Sequence, residues 1–329
     1  MRGPLEIGGR SIAPGERKRV EVPVARLFTQ TMLSLPVTVV HGAREGPRLW
    51  LDAAIHGDEL NGAEIIRRVL ERVQPAALAG ALIAVPVVNV VGFIHQSRYL
   101  PDRRDLNRSF PGSARGSLAA RLAHLFLTEI VQRCTHGLDL HTGSLHRANL
   151  PQVRANLDDP ETARCAKAFG APITLHARAI KGSLREAAAR LKLPILVYEA
   201  GEPLRFDEEA IRAGVAGILR VMKALGMTRG PSRRRAPKTL LVRRTAWVRT
   251  HGSGIFHLKA RLGRRVKAKQ DLGVVLDAYG DAGFRLQAPC RGIVIGHTNN
   301  PLVHRGDAVV HVAMLSRKRL RQPDPVENF

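Results

Sequence analysis

The segment Ala53-Ala54-Ile55-His56-Gly57-Asp58-Glu59-Leu60-Asn61-Gly62 decides the fold, because a buried strand gives way to a helix there. Upstream, residues 48–55 (RLWLDAAI) form an apolar run of strand length. Downstream, residues 58–72 place Leu60, Ala63, Ile66, Val69 and Leu70 on one helical face. A strand feeding a helix is the repeating unit of an open α/β sheet, and such sheets build their sites beyond the carboxyl ends of the strands. His56 and Glu59 stand three apart across Gly57 and can converge on one cation, since imidazole and carboxylate suit a borderline ion such as zinc. Taken alone the motif is short: His56 also reads as a loop histidine, and Glu59 as a helix-start carboxylate meeting the helix dipole.

Outward from that junction, residues 36–40, 82–88, 138–141, 173–176 and 194–199 are short runs rich in Val, Ile and Leu, as buried central strands are. Residues 117–133 open at a Ser N-cap and carry Leu118, Leu122, Leu125 and Ile130 at helical spacing, and 207–225 reads as a third long helix. The alternation predicts an α/β domain over 1–228 with a mixed sheet flanked by helices. At 229–238 periodicity yields to Gly, Pro and Arg, the composition of a basic linker. Beyond it, 239–315 has short Val-rich runs punctuated by glycine, which predicts a small all-β barrel or sandwich, and 316–329 is a polar tail.

The chain has 329 residues and a formal net charge of +24, from 52 Lys and Arg against 28 Asp and Glu. Residues 229–270 hold 14 of those cations and no Asp or Glu, a strip that can attract polyanions. Aromatics are only 4% of the chain, so stacking platforms for bases are scarce, which argues against nucleic acid as the partner. No run approaches the roughly 18 uninterrupted apolar residues of a membrane-spanning helix, and the opening Met1-Arg2-Gly3-Pro4 lacks a signal-peptide core, so a cytoplasmic location and no membrane partner are expected. The three cysteines, Cys134, Cys165 and Cys290, are widely spaced and read as reduced thiols.

Three further blocks complete the pattern. Asp105-Leu106-Asn107-Arg108-Ser109-Phe110-Pro111-Gly112 offers an amide and a guanidinium that can grip a carboxylate. Leu138-Asp139-Leu140-His141-Thr142-Gly143 supplies a histidine at a strand end, and Val197-Tyr198-Glu199-Ala200-Gly201-Glu202-Pro203 a glutamate at another. With these four blocks in order, the chain resembles the succinylglutamate desuccinylase and aspartoacylase family, a branch of the zinc carboxypeptidase superfamily, over roughly residues 30 to 315. The resemblance implies one zinc ion per chain held by His56, Glu59 and His141. It implies that Asn107 and Arg108 bind a substrate carboxylate and that Glu199 is the catalytic glutamate. Zinc lowers the pKa of bound water to about 7 and polarises a carbonyl, which is coherent with a glutamate that moves the proton.

An oxyanion-stabilising arginine is also expected. Arg98 is the choice, with Arg103 and Arg104 as competitors because the spacing departs from that of aspartoacylase. Asp105 and Asp139 are candidates to hydrogen-bond the metal-binding imidazoles from outside. Arg154, in Pro151-Gln152-Val153-Arg154, is a candidate to read the far end of the substrate. His95, His124, His136, His146 and His176 lack ligand partners in the sequence, and His297, His304 and His311 are expected to be structural. The C-terminal block resembles biotinyl/lipoyl-type barrels, but Asn299-Asn300 stands where a carrier lysine would, so a shield that narrows the site is expected instead. The leading expectation is an amidohydrolase acting on a small N-acylated amino acid. A peptide-trimming metallocarboxypeptidase and a non-catalytic polyanion-binding protein are the alternatives, and the sequence is compatible with a homo-oligomer.

Overall fold

The computed structural model describes residues 3–229 and 237–315. The chain opens with a hairpin, β1 (Leu5–Ile7) and β2 (Arg10–Ile12), then runs through β3 (Arg17–Arg26), β4 (Met32–His41) and β5 (Arg44–Ala53) into α1 (Asn61–Arg72). It continues through β6 (Ala79–Val85), α2 (Val90–Ile94), α3 (Leu118–Glu129), β7 (His136–His141), β8 (Arg147–Ala155) and α4 (Pro160–Phe169). Next come β9 (Ile173–His176), α5 (Leu184–Arg190), β10 (Ile195–Gly201) and α6 (Glu208–Ala224). The C-terminal part is built from β11 (Leu240–Val242), β12 (Thr245–Arg249), β13 (Gly254–Leu258), β14 (Arg265–Val266), β15 (Asp271–Leu276), β16 (Gly283–Gln287), β17 (Gly292–Thr298), β18 (Leu302–Val303) and β19 (Ala308–Met314).

The centre of the main sheet is parallel, in the order β6-β5-β7-β10. These strands are apolar on both sides because helices cover both sides. Trp50 points to the face packed by α3 and α5, while Leu49, Leu51 and Ala53 point to the face packed by α1, α4 and α6. β6 (AGALIAV) is buried at every residue. Each fully buried Leu, Ile or Val stabilises by about 1.5–3 kcal/mol, so the sheet is a rigid base for whatever its strand ends carry.

The expected fold class is borne out: a mixed sheet flanked by helices, with an antiparallel β region at the C-terminus. Ser117 caps α3 as expected, its Oγ accepting from the Ala120 N–H at 3.3 Å. The helix expected from residue 58 begins at Asn61, because 56–60 form the turn that carries His56 and Glu59. The linker residues 230–236, with Arg233, Arg234 and Arg235 of the basic strip, and the tail 316–329 lie outside the described residues. Among the described residues, no helix is long and apolar enough to cross a membrane.

The C-terminal strands divide between two sheets. β16-β15-β13-β18 form a separate antiparallel sheet, whereas β12, β19 and β17 extend the main sheet, β17 pairing antiparallel with β8. A shared apolar cluster of Leu150, Ile173, Leu175, Val242, Ile293, Ile295 and Ala313 closes this seam.

Candidate active site

The parallel strands β5, β7 and β10 end side by side, and their ends bring four polar groups to the same place, His56 and Glu59 from the turn after β5, His141 from β7 and Glu199 from β10. β7 ends on His141, which is in register with Glu199 on β10. After β5 the chain turns through Ala54, whose φ of 50° is left-handed. That conformation costs a residue other than glycine about 1–2 kcal/mol. It is held by the N–H groups of Val88 and Asn89, which donate to the carbonyls of Ala53 and Ala54. Gly57 follows, packed so tightly on α2 that a Cβ would lie 2.0 Å from the carbonyl carbon of Gly92. These constraints aim His56 and Glu59 inward.

His56, Glu59 and His141 are all buried, and their ligating atoms lie within 4.8 Å of one another. Nδ1 of His56 is 2.9 Å from Glu59 Oε1, and Nδ1 of His141 is 2.7 Å from Glu59 Oε2. The outer nitrogens face carboxylates: Asp105 Oδ1 lies 3.2 Å from His56 Nε2, and Asp139 Oδ1 lies 2.7 Å from His141 Nε2, close but not aligned as a hydrogen bond. Against burial, which pushes it up, the charges and hydrogen bonds of His56 and His141 hold the Glu59 carboxyl well below the usual range. Burial opposes a charge on His141, yet Asp139 and Glu59 outweigh it and raise its affinity for a proton. The cradle is therefore built to favour a cation.

Behind Asp139 stands Asp52, its register partner on β5, whose Oδ1 accepts from the Trp50 indole N–H at 2.8 Å. Complete burial and the neighbouring Asp139 push the Asp52 carboxyl well above the usual range.

Arg98 leans over the cradle, with Nη1 3.1 Å from His56 Nδ1 and Nη2 donating to Asp105 Oδ2 at 2.8 Å. Its competitors lie elsewhere: Arg103 and Arg104 are exposed, and Arg104 pairs with Asp102 at 3.6 Å. Asn107 accepts the Leu184 N–H on Oδ1 at 2.9 Å, which leaves its amide N–H groups for another partner. Arg108 reaches the cavity from the rim and donates to the Asn107 carbonyl at 2.6 Å.

Glu199 is held on one side only. Its Oε2 accepts from Asn149 Nδ2 at 2.8 Å and pairs with Arg154 Nη2 at 2.9 Å. Asn149 and Arg154 lie at odd and even positions of β8, yet both reach Glu199 because the β8/β10 register slips by one residue between them. Arg154, expected to read the far end of the substrate, thus lines the cavity while engaged with Glu199.

His56, Glu59, His141, Arg98, Asn107, Arg108, Asn149, Arg154 and Glu199 line one cavity of about 240 Å³, together with Arg147, Arg185 and Trp247. Asp52, Arg147, Asn149, Arg185 and Trp247 had gone unremarked in the sequence. Only Asp52, an acid within an otherwise apolar strand, carried a signal there.

A second group, His136, Glu161 and Cys165, comes within the same 4.8 Å. It makes a poor cradle. Arg164 grips Glu161 through Nε at 2.8 Å and Nη2 at 2.6 Å, and burial pushes the Cys165 thiol up to about 12. The described cations of the basic strip are mostly exposed; Arg243, for example, between β11 and β12, pairs with Asp158 at 3.1 Å.

Comparison with known proteins agrees with this geometry. Residues 45–225 match the model of the succinylglutamate desuccinylase/aspartoacylase catalytic domain. An N-alpha-acetyl-L-2,4-diaminobutyric acid deacetylase of Halomonas elongata is 28% identical over 295 residues, covering 85% of each chain. The crystal structure of a succinylglutamate desuccinylase/aspartoacylase from Rhodobacter sphaeroides superimposes with a TM-score of 0.82 at 27% identity, over 91% of this chain and 96% of that one. The product-bound ectoine utilization protein EutE (DoeB) of Ruegeria pomeroyi shares the fold, with a TM-score of 0.83 at 24% identity, over 96% of this chain and 100% of the other.

Proposed function

The chain belongs to the succinylglutamate desuccinylase/aspartoacylase family, and from that premise we propose that it is a zinc-dependent amidohydrolase that deacylates a small N-acylated amino acid. The observation that carries this reading is the convergence of His56 and Glu59, from one turn, with His141, from a distant strand, into one buried group beside Glu199.

The donor set fits zinc. Two imidazole nitrogens and a carboxylate form a three-ligand catalytic set, and a carboxylate behind each imidazole is the usual outer support. When bound, the ion would supply Lewis acidity, acidifying water and polarising the scissile carbonyl. The rest falls to the chain. Asn149 and Arg154 fix Glu199 Oε2, and Glu199 Oε1 has no protein partner among the described residues, so it is the atom to receive the proton of the attacking water. Glu199 then returns that proton to the departing amine. Arg98 steadies the negative oxygen that develops on the carbonyl. Asn107 and Arg108 bind the substrate carboxylate, and Arg154 adds to its contact with the substrate a hold on the base. A cavity of about 240 Å³ suits an acylated amino acid better than a peptide.

The test is metal analysis and a panel of N-acyl amino acids, with Glu199→Gln as control. About one zinc per chain is expected, with the variant retaining metal and losing roughly 10²–10⁴-fold in kcat. Protein that binds no metal and turns over none of the panel would overturn the reading.

A further inference from the structure

A second cavity, of about 590 Å³, lies beside the catalytic one, between the end of β8, the start of α4, the strap 177–183 that joins β9 to α5, and the start of β10. Its volume falls within the roughly 300–1,000 Å³ of small-molecule sites. Leu193, Pro194 and Ile195 give it an apolar wall. Its two acids are already engaged. Asp158 pairs with Arg243 at 3.1 Å and faces His176 Nε2 at 3.6 Å, while Asp159 Oδ2 caps α4 by accepting the Thr162 N–H at 2.7 Å. Its cations are not. The exposed side chains of Arg178 and Lys192 have no hydrogen bond or ion pair among the described residues. The cavity therefore favours an anion with an apolar body.

Among the described residues, Arg185 is the one side chain that lines both cavities. Three arginines of the catalytic wall are committed to that wall. Arg98 is paired with Asp105 and Arg154 with Glu199. Arg147 lies 5.2 Å from the centroid of the Trp247 ring, and Trp247 stacks on His311 in a row that continues through Gly296 to Asn149 on β8. Arg185 differs from these. Its Nη2 donates to the Arg178 carbonyl at 2.6 Å, but its Nη1 is buried without a partner among the described residues. Burial first, then the charge of Arg154, disfavours the Arg185 cation, and Glu199 and Asp139 offset part of this. A buried guanidinium nitrogen left unpaired is costly, and an anion within its reach removes that cost.

The strap connects the cavities as well. Arg178 and Ala179 line the second cavity, whereas Ile180 and Ser183 line the catalytic one. Its far end is fixed against the residues expected to bind substrate: Asn107 Oδ1 accepts the Leu184 N–H, and a Cβ on Gly182 would lie 2.6 Å from the Arg108 carbonyl oxygen. A ligand that engages Arg178 and Arg185 thus acts on both sides of one short segment.

We propose that the second cavity is an effector site for a small organic anion, a carboxylate or phosphate ester on a short apolar body, held by Arg178, Lys192 and Arg185. By engaging Arg185 from outside, the anion withdraws positive charge from the catalytic cavity and weakens its hold on an anionic substrate; this regulatory half rests on the amidohydrolase reading. Coupling of this kind is reciprocal and saturates, because it is bounded by the difference in affinity between the two states of the site.

The test uses hexanoate and hexyl phosphate as probes, with acetate and inorganic phosphate as the same head groups without the body. Calorimetry on the zinc-loaded enzyme should find each probe bound at least about ten-fold more tightly than its short control, and the tighter of the two probes names the head group. Arg178→Ala combined with Lys192→Asn, which suits the left-handed backbone there (φ 58°), should weaken the probes by at least about ten-fold and leave kcat/KM without probe unchanged. In the wild type, the probe should raise the KM of the best N-acyl amino acid about five-fold or more and then reach a plateau, and the double variant should lose the effect. A KM that climbs without limit, or inhibition that survives in the double variant, means that the probe occupies the catalytic cavity and overturns the assignment. Probe binding that ignores the apolar body or both substitutions also overturns it, and the hydrolase reading then stands. If no N-acyl amino acid is hydrolysed while the double variant still loses the probe, the hydrolase reading fails and the anion site stands.

Discussion

At the residue scale, the site consists of a few side chains whose behaviour is set by what stands behind them. Asp105 and Asp139 face the outer nitrogens of His56 and His141. Outer carboxylates of this kind orient the ring and raise its basicity, and their loss typically costs 10–100-fold in metal affinity. Asp139→Asn should therefore weaken zinc binding by roughly that factor, measured by competition with a chromogenic chelator, with activity recovering as zinc is added. An unchanged zinc affinity would show that Asp139 only fills the core. His56, Glu59, His141 and Glu199 were legible in the sequence because each lies at or just beyond a strand end and falls in a recognisable block. Asn149, Arg147 and Trp247 were not, because nothing local to RANLPQVRA or to TAWVR tells which strands will lie beside them. Arg154 was visible as a candidate, but its hold on Glu199 depends on a register slip that only the paired strands reveal.

At the scale of elements, the passage from β5 through Gly57 to α1 is the least forgiving part of the molecule. Gly57→Ala would drive a methyl group into the backbone of α2, so a loss of several kcal/mol or a displaced His56 is expected, read by urea denaturation and by zinc content. If the variant equals the wild type in both, the turn is softer than its packing indicates. The parallel strands and long helices were readable because burial on both faces writes continuous apolar runs, and one-sided packing writes a 3.6-residue period. β8 and β3 escaped. RANLPQVRA carries two arginines and a proline, and RKRVEVPVAR reads as a charged stretch until β4 is seen to pair with it. In both strands the tertiary partner, rather than composition, decides the structure.

At the scale of the whole molecule, the seam between β8 and β17 makes the C-terminal strands a continuation of the catalytic sheet. His311, buried in the row that crosses the seam, has neither ring nitrogen partnered within the described protein. Burial first, then the charges of Arg154 and Arg147, push its pKa down to about 3. Because the unfolded chain takes up this proton near pH 6.5 and the folded one does not, the His311 contribution lowers stability as pH falls from 6.5 towards about 3, by up to about 1.4 kcal/mol per pH unit. His311→Phe keeps a stacking ring and removes the titration, so its urea midpoint should fall less than that of the wild type between pH 7 and pH 4.5. Equal falls would place the acid sensitivity elsewhere. The same seam predicts that residues 1–228 produced alone aggregate, because Arg147–Asn149 of β8 would lose β17 and the outer edge of β9 would lose β11; a soluble monomer of that fragment would contradict it. For the nascent chain this becomes a matter of timing. β8 leaves the ribosome long before β17 is made, and at about 5–20 residues per second the part of its edge at Arg147–Asn149, which β9 does not cover, waits on the order of ten seconds for its neighbour. During that interval the half-made protein is exposed to mispairing with its own copies, so its yield in a cell should depend on chaperone capacity and on translation speed between the two strands more than on the stability of the finished enzyme.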